Sequence, residues 1–175
     1  MAGIDPVLCV TGADRDVAAL SARLGAARPG DLHEVRLDLL TGGLGDVLDL
    51  VARYGPRLVV TFRTRRDGGG FRGDENDRRA LLGRAAEAGA RWIDLEVDAL
   101  ESGGAGGLPA ERVLASWHGD IDDAGFAAVA ERLRRAGTGA VKAAVTVRDA
   151  ADLVRLRAWR AGLPQVASVV GMGPA

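Results

Sequence analysis

Seven short runs rich in β-branched and apolar residues, at 7–11, 33–40, 57–63, 91–97, 112–118, 140–147 and 165–172, punctuate this chain. Five of them, the second to the sixth, set an apolar face against a polar or charged one, and that alternation restricts the fold more than any other feature. Val35, Leu37 and Leu39 oppose Glu34, Arg36 and Asp38; Val60 and Phe62 oppose Thr61 and Arg63; Ile93, Leu95 and Val97 oppose Asp94 and Glu96. Val113, Ala115 and Trp117 oppose Ser116 and His118; Val141, Ala143 and Val145 oppose Ala140, Lys142, Ala144 and Thr146. Successive side chains of a strand point to opposite faces, so each run has one apolar and one polar side.

Between the runs, apolar residues recur at helical spacing over 14–27, 45–54, 75–88, 122–136 and 149–161. Asp14, Asp74, Asp122 and Asp149 stand where a short carboxylate caps a helix start, and Gly25, Gly89, Gly137 and Gly162 where a left-handed residue ends one. The stretch 102–107, with four glycines in six residues, reads as a shortened loop crossover. Strands alternating with helices imply βαβ units and a parallel sheet, either open and doubly wound or closed into a barrel. The first turn, Thr11-Gly12-Ala13-Asp14-Arg15, lacks the glycine fingerprint of a doubly wound dinucleotide binder. An open sheet covered on both sides would also bury the charged faces at a cost of several kcal/mol per unpaired group. A (β/α)8 TIM-type barrel resolves this, with apolar sides against the helices and polar sides inward. Its active site lies at the C-terminal ends of the strands, where Arg63, Glu96 and His118 fall.

With 175 residues the chain has the length of one domain, taken as 1–175. A net charge of −1 offers no electrostatic footprint for nucleic acid, and no apolar run approaches the ~20 residues of a membrane helix. The first residues lack a secretory pattern, so the expected location is cytoplasmic. Cys9, the single cysteine, sits in an apolar run and is expected to be a buried, inert thiol.

Of the 23 basic residues, Lys142 is the lone lysine and the rest are arginines; the two histidines are His33 and His118. An amine flanked by Ala140 and Ala144, with Arg36 and Arg63 in the same pocket, should lose its proton more readily than a free lysine. A neutral amine attacks ketones and aldehydes to give a Schiff base, which arginine cannot do. His118 would supply the acid and base chemistry beside it, whereas His33 reads as a surface or core residue. Two other readings stand beside this one. The charges could form an internal salt-bridge lattice without chemistry, or Asp94-x-Glu96 and His118-x-Asp120 could hold a divalent ion. The glycine-rich segment 64–73 lacks the ending of a nucleotide-binding loop and reads as a mobile lid with glycine hinges.

Taken together, Glu34-Val35-Arg36-Leu37-Asp38, Thr61-Phe62-Arg63-Thr64 with Asp67-Gly68-Gly69, Ile93-Asp94-Leu95-Glu96, Ala115-Ser116-Trp117-His118, Val141-Lys142-Ala143-Ala144-Val145 and Gly171-Met172-Gly173 resemble type I 3-dehydroquinate dehydratase. They stand in that family's order and spacing and cover nearly the whole chain. The resemblance implies a (β/α)8 barrel, commonly a homodimer, that works in the shikimate pathway of aromatic amino-acid biosynthesis without metal or cofactor. It implies that Lys142 forms an imine with the C3 ketone of 3-dehydroquinate and that His118 removes the C2 proton and helps the C1 hydroxyl leave. Glu34, Arg36 and Arg63 match the positions that contact substrate. Asp67 matches a glutamate that orients the histidine, with a side chain one methylene shorter.

A full barrel takes ~250 residues. The family's next segment brings an arginine for the substrate carboxylate, a lid with serine and glutamine contacts, and the eighth strand and helix, none of which has a counterpart here. The sequence therefore predicts seven barrel strands without the eighth, and an open edge that lowers stability or promotes self-association. A catalytically silent truncated homologue or interaction domain that keeps the barrel charges for stability only, and a Schiff-base aldolase acting on another keto compound, are the alternatives in function.

Overall fold

The computed structural model describes residues 8–120, 122–163 and 166–173. The chain divides into two compact units, Met1–Asp94 and Leu95–Ala175.

The first unit begins with β1 (Cys9–Thr11), α1 (Val17–Gly25), β2 (Leu32–Arg36), α2 (Leu44–Tyr54) and, after a single 3-10 turn, β3 (Leu58–Thr61). It ends with α3 (Glu75–Glu87) and the start of β4 (Trp92–Glu96). The four strands pair in sequential order and in parallel, with Val10 opposite His33, Val35 opposite Val60 and Val60 opposite Ile93. Helices cover their apolar sides. Val47, Leu50 and Val51 of α2 and Leu82, Ala85 and Ala86 of α3 recur at helical spacing and are buried. Val35, Leu58, Val60 and Ile93 are buried on the strands.

The second unit holds α4 (Val97–Gly103), β5 (Val113–Gly119), α5 (Asp123–Arg135), β6 (Ala140–Thr146), α6 (Ala150–Ala161) and β7 (Ala167–Met172). Its strands also pair in parallel, with Ala115 opposite Val141 and Ala143 opposite Val169. The rings of Phe126 in α5 and Trp159 in α6 stack at 4.2 Å, joining the two helices. Among the described residues no helix is long and apolar enough to cross a membrane.

The strands and helices stand where the sequence places them, with local corrections. Residues 37–40, expected to continue the second strand, turn away from it. The 102–107 crossover is not wholly loop: α4 starts directly after β4 and includes Ser102 and Gly103, because Val97 and Leu100 supply a buried face for two helical turns. Asp16, not Asp14, caps α1 by accepting from the Ala19 amide at 2.7 Å. Asp14 accepts two hydrogen bonds from Arg23 instead. Asp74, Asp122 and Asp149 cap as expected. Gly89 and Gly137 are left-handed, whereas Gly25 is the last residue of α1 and Gly162 keeps a right-handed cap.

Cys9 is exposed rather than buried, on a β1 of only three residues that pairs with β2. Val7 and Gln165, the outer bounds expected for the first and last strands, lie outside the described residues.

Candidate active site

In the first unit, Glu34 is buried on β2 between two threonines. Thr11 Oγ1 donates to Oε2 at 2.8 Å and Thr61 Oγ1 donates to Oε1 at 2.7 Å, so both carboxylate oxygens are held from the flanking strands. This works because Glu34 lies opposite Thr11 in register, while Thr61 stands two residues further along β3 than Glu34's own partner, Val59.

Arg63, just past β3, is almost fully buried, and its Nη2 donates to Asp94 Oδ2 at 2.9 Å across the neighbouring strand. Asp94 is fully buried on β4, so this is a desolvated ion pair with a charge-assisted hydrogen bond. Asp94, one of the two acidic residues weighed as metal ligands on β4, is engaged by Arg63 in this pair. Among the described residues no group of three or more histidine, cysteine or acidic side chains is arranged to hold a metal ion.

Arg36 ends β2 and makes a two-pronged contact with Asp38: Nε donates to Oδ1 at 2.9 Å and Nη2 to Oδ2 at 2.6 Å. Hydrogen bonding to Asp38 pushes the Arg36 pKa still higher, so its charge is permanent. The Asp38 side chain is fully buried. Burial alone would raise its pKa, yet hydrogen bonds from Arg36 and the Gly70 amide, the Arg36 charge and the Arg63 amide outweigh that and hold it below the ordinary carboxylate value.

The segment 64–73, expected from its glycines to be a lid, is braced by its own backbone. Gly69 N donates to Thr64 O at 2.7 Å, Phe71 N to Arg63 O at 3.1 Å and Arg65 N to Phe71 O at 3.2 Å. The rings of Phe62 and Phe71 pack at 4.4 Å. The glycines serve close approach: a Cβ on Gly69 would stand 2.2 Å from the Arg63 carbonyl oxygen, and one on Gly70 2.7 Å from that of Asp38. Asp67 lies within this loop, where Thr64 Oγ1 donates to its Oδ2 at 2.5 Å and Arg66 Nε stands 3.5 Å away. That contact shapes the loop itself.

In the second unit, Lys142 occupies the middle of β6, half-buried, with Ser116 of β5 and Ser168 of β7 as its register partners. Its near neighbours Ala140, Val141, Ala143 and Ala144 are all buried. His118 is half-buried near the end of β5 and lies opposite Ala144, two residues beyond Lys142 on the same face. Two residues of rise and one strand spacing put their Cα atoms roughly 8 Å apart, within reach of two long side chains. A cavity of about 430 Å³ opens past the ends of β5 and β6, lined by Asp120, Asp122, Arg148, Asp152 and Arg155. There Arg148 pairs with Asp120 and Arg155 with Asp152, so Asp120 is engaged by an arginine.

Each unit therefore collects part of the expected set: Glu34, Arg36, Arg63 and Asp67 in the first, His118 and Lys142 in the second. Reading the sequence for site residues left out Thr11, Thr61 and Asp38. Asp38 had a signal, since Glu34-x-Arg36-x-Asp38 alternates, but its partners on the 64–73 loop had none.

The family model described as type I 3-dehydroquinase matches residues 7–174. A 3-dehydroquinate dehydratase from Desulfotalea psychrophila is 33% identical over 154 residues, which is 81% of this chain and 67% of that protein. The chloroplastic bifunctional 3-dehydroquinate dehydratase/shikimate dehydrogenase of Arabidopsis thaliana is 30% identical over the same length. The chain matches 81% of itself but only 25% of that larger protein. Among solved structures, the 3-dehydroquinate dehydratase of Aquifex aeolicus superposes with a TM-score of 0.73 at 20% identity, covering 96% of this chain and 80% of its own. The type I enzyme of Clostridium difficile, solved with covalent modified comenic acid, gives 0.70 at 18% identity, covering 96% and 75%. These likenesses establish the fold as the (β/α)8 TIM-type barrel of those proteins, with seven of its strands, and no eighth, among the described residues. By its near end-to-end match to the family model and its identity to a bacterial relative, the chain belongs to the type I 3-dehydroquinase family.

Proposed function

We propose that this chain is a hydro-lyase of the cytoplasm that dehydrates 3-dehydroquinate to 3-dehydroshikimate through an imine on Lys142. The observation that carries the reading is the lone lysine of an arginine-rich chain, half-buried on β6 among small apolar neighbours, with His118 on the same face of the adjacent strand. Family membership supports it, and the C. difficile relative's covalent modified comenic acid is in keeping with covalent chemistry in this fold.

The neutral Lys142 amine adds to the C3 carbonyl, and loss of one water leaves a protonated imine, which draws electrons from C2. His118 takes the C2 proton, the C2–C1 double bond forms, and the C1 hydroxyl leaves as a second water with a proton returned by His118. Hydrolysis then consumes one water, releases the conjugated enone and restores the amine, so the net change is loss of one water. Arg36 and Arg63 bind substrate oxygens as permanent cations, and Glu34 takes substrate hydroxyls. Asp67 is assigned an indirect part in positioning His118, as the shorter counterpart of the family glutamate.

The test is an intact-mass spectrum after mixing the protein with 3-dehydroquinate and borohydride, which reduces an imine to a stable amine. An adduct mapped to Lys142, absent in Lys142→Arg, with a conjugated enone as product, is the expected result. An adduct accompanied by carbon–carbon bond cleavage, in place of the enone, would indicate an aldolase. No adduct would indicate a catalytically silent homologue.

A further inference from the structure

We propose that Asp38 is the positioning residue of this site, presetting the Arg36 guanidinium for substrate and fastening the 64–73 loop to the end of β2. This rests on the dehydratase reading above. Asp38 spends both carboxylate oxygens twice: Oδ1 accepts from Arg36 Nε and the Arg63 amide (3.2 Å), and Oδ2 accepts from Arg36 Nη2 and the Gly70 amide (3.0 Å). Four donors on one fully buried carboxylate is a complete set.

Two consequences follow from that geometry. First, Arg36 has one edge of its planar fork occupied and makes no other side-chain hydrogen bond among the described residues, while its side chain stays one-fifth exposed. Nη1 and the second N–H of Nη2 are left as donors for an anionic or hydroxylated ligand, with their direction set before the ligand arrives. Second, the loop that carries Asp67 and follows Arg63 is tied to the same carboxylate. Gly70 lies against the Asp38 backbone so closely that a Cβ there would collide with its carbonyl oxygen. One side chain thus couples the orientation of Arg36 to the place of the next strand's loop.

The contact is a matter of placement, not of reaction, so it predicts a particular kinetic signature. Asp38→Asn replaces one of the two doubly used oxygens with an NH2 that faces donors. In the full chain this variant should raise KM for 3-dehydroquinate at least tenfold while kcat falls less than threefold. A residue needed only for stability would lower the active fraction, and so kcat, at unchanged KM. Arg36→Lys cannot make the two-pronged contact and should raise KM similarly; in its background Asp38→Asn should add less than twofold. If Asp38→Asn loses its folded far-UV spectrum, Asp38→Glu, which keeps the charge but shifts the oxygens, is read by the same ratio. Unchanged KM in the folded variant, or fully additive effects with Arg36→Lys, would overturn the role of Asp38 while wild-type turnover leaves the dehydratase reading intact. A wild-type chain that neither turns over nor binds 3-dehydroquinate would overturn both.

Discussion

Nη1 of Arg23 donates to Nδ1 of His33 at 3.1 Å, in the interior of the first unit. A guanidinium is always a donor, so Nδ1 carries the lone pair and the ring proton belongs on Nε2. Burial, then the charges of Arg23 and Arg57, hold the His33 pKa below its ordinary value of 6.5. The neutral ring therefore contributes stability that is complete above about pH 6.5 and is lost as pH falls through the lowered value, because the unfolded chain binds that proton first. The thermal midpoint should fall between pH 7.5 and 5, and His33→Gln should show a flatter profile over the same interval. Parallel profiles would sink the assignment.

Glu34 depends on its two threonines. Thr61 is fully buried, and Thr61→Val keeps its shape while removing the hydrogen bond to Oε1. Leaving a buried charged acceptor short of a donor costs about 1–3 kcal/mol. Chemical denaturation should register that loss without a change in the slope of the transition, and turnover should fall with it. Thr61→Ser, which keeps the hydroxyl, should recover most of both.

The glycines of the 64–73 loop differ sharply in tolerance. Gly69→Ala places a Cβ against backbone, 2.2 Å from the Arg63 carbonyl oxygen, so the loop must move. Gly68 is left-handed at φ +81° with open space around it. Gly68→Asn should cost at most about 1 kcal/mol and Gly69→Ala at least twice that. Equal midpoints in denaturant for the two variants would contradict the braced loop.

Arg78 ties the first turn of α3 to the end of β3. Its fully buried side chain donates from Nη1 to the Phe62 carbonyl at 3.0 Å and from Nε and Nη2 to Glu75. Arg78→Met fills much of the space but leaves that carbonyl unsatisfied, for a loss of roughly 2–4 kcal/mol. The same variant should loosen Arg63, which follows Phe62, so KM should rise along with the fall in stability. A stability loss with unchanged KM would limit Arg78 to a role in folding.

Period-two and period-3.6 patterns were enough to find the strands and most helices, because they follow from which side of an element faces apolar neighbours. The alternating charges told against a sheet covered on both faces, and the order of short motifs pointed to the family. The single lysine in β6 and the histidine near the end of β5 were legible for the same reason: their faces follow from the count along the strand. What the tertiary structure decided is which group each polar side chain meets. Asp16 displaced Asp14 as a helix cap because Arg23, nine residues beyond Asp14, reached its carboxylate. Cys9 lies open on a β1 of only three residues that pairs with β2. The 64–73 segment, read as a hinged lid from its glycines, is fastened by the Gly70 amide, and Arg63 just before it by its own, to Asp38 more than 20 residues earlier. Hydrophobic periodicity is a local property of the chain, whereas satisfying a buried carboxylate depends on donors that only the packed strands and loops bring to it.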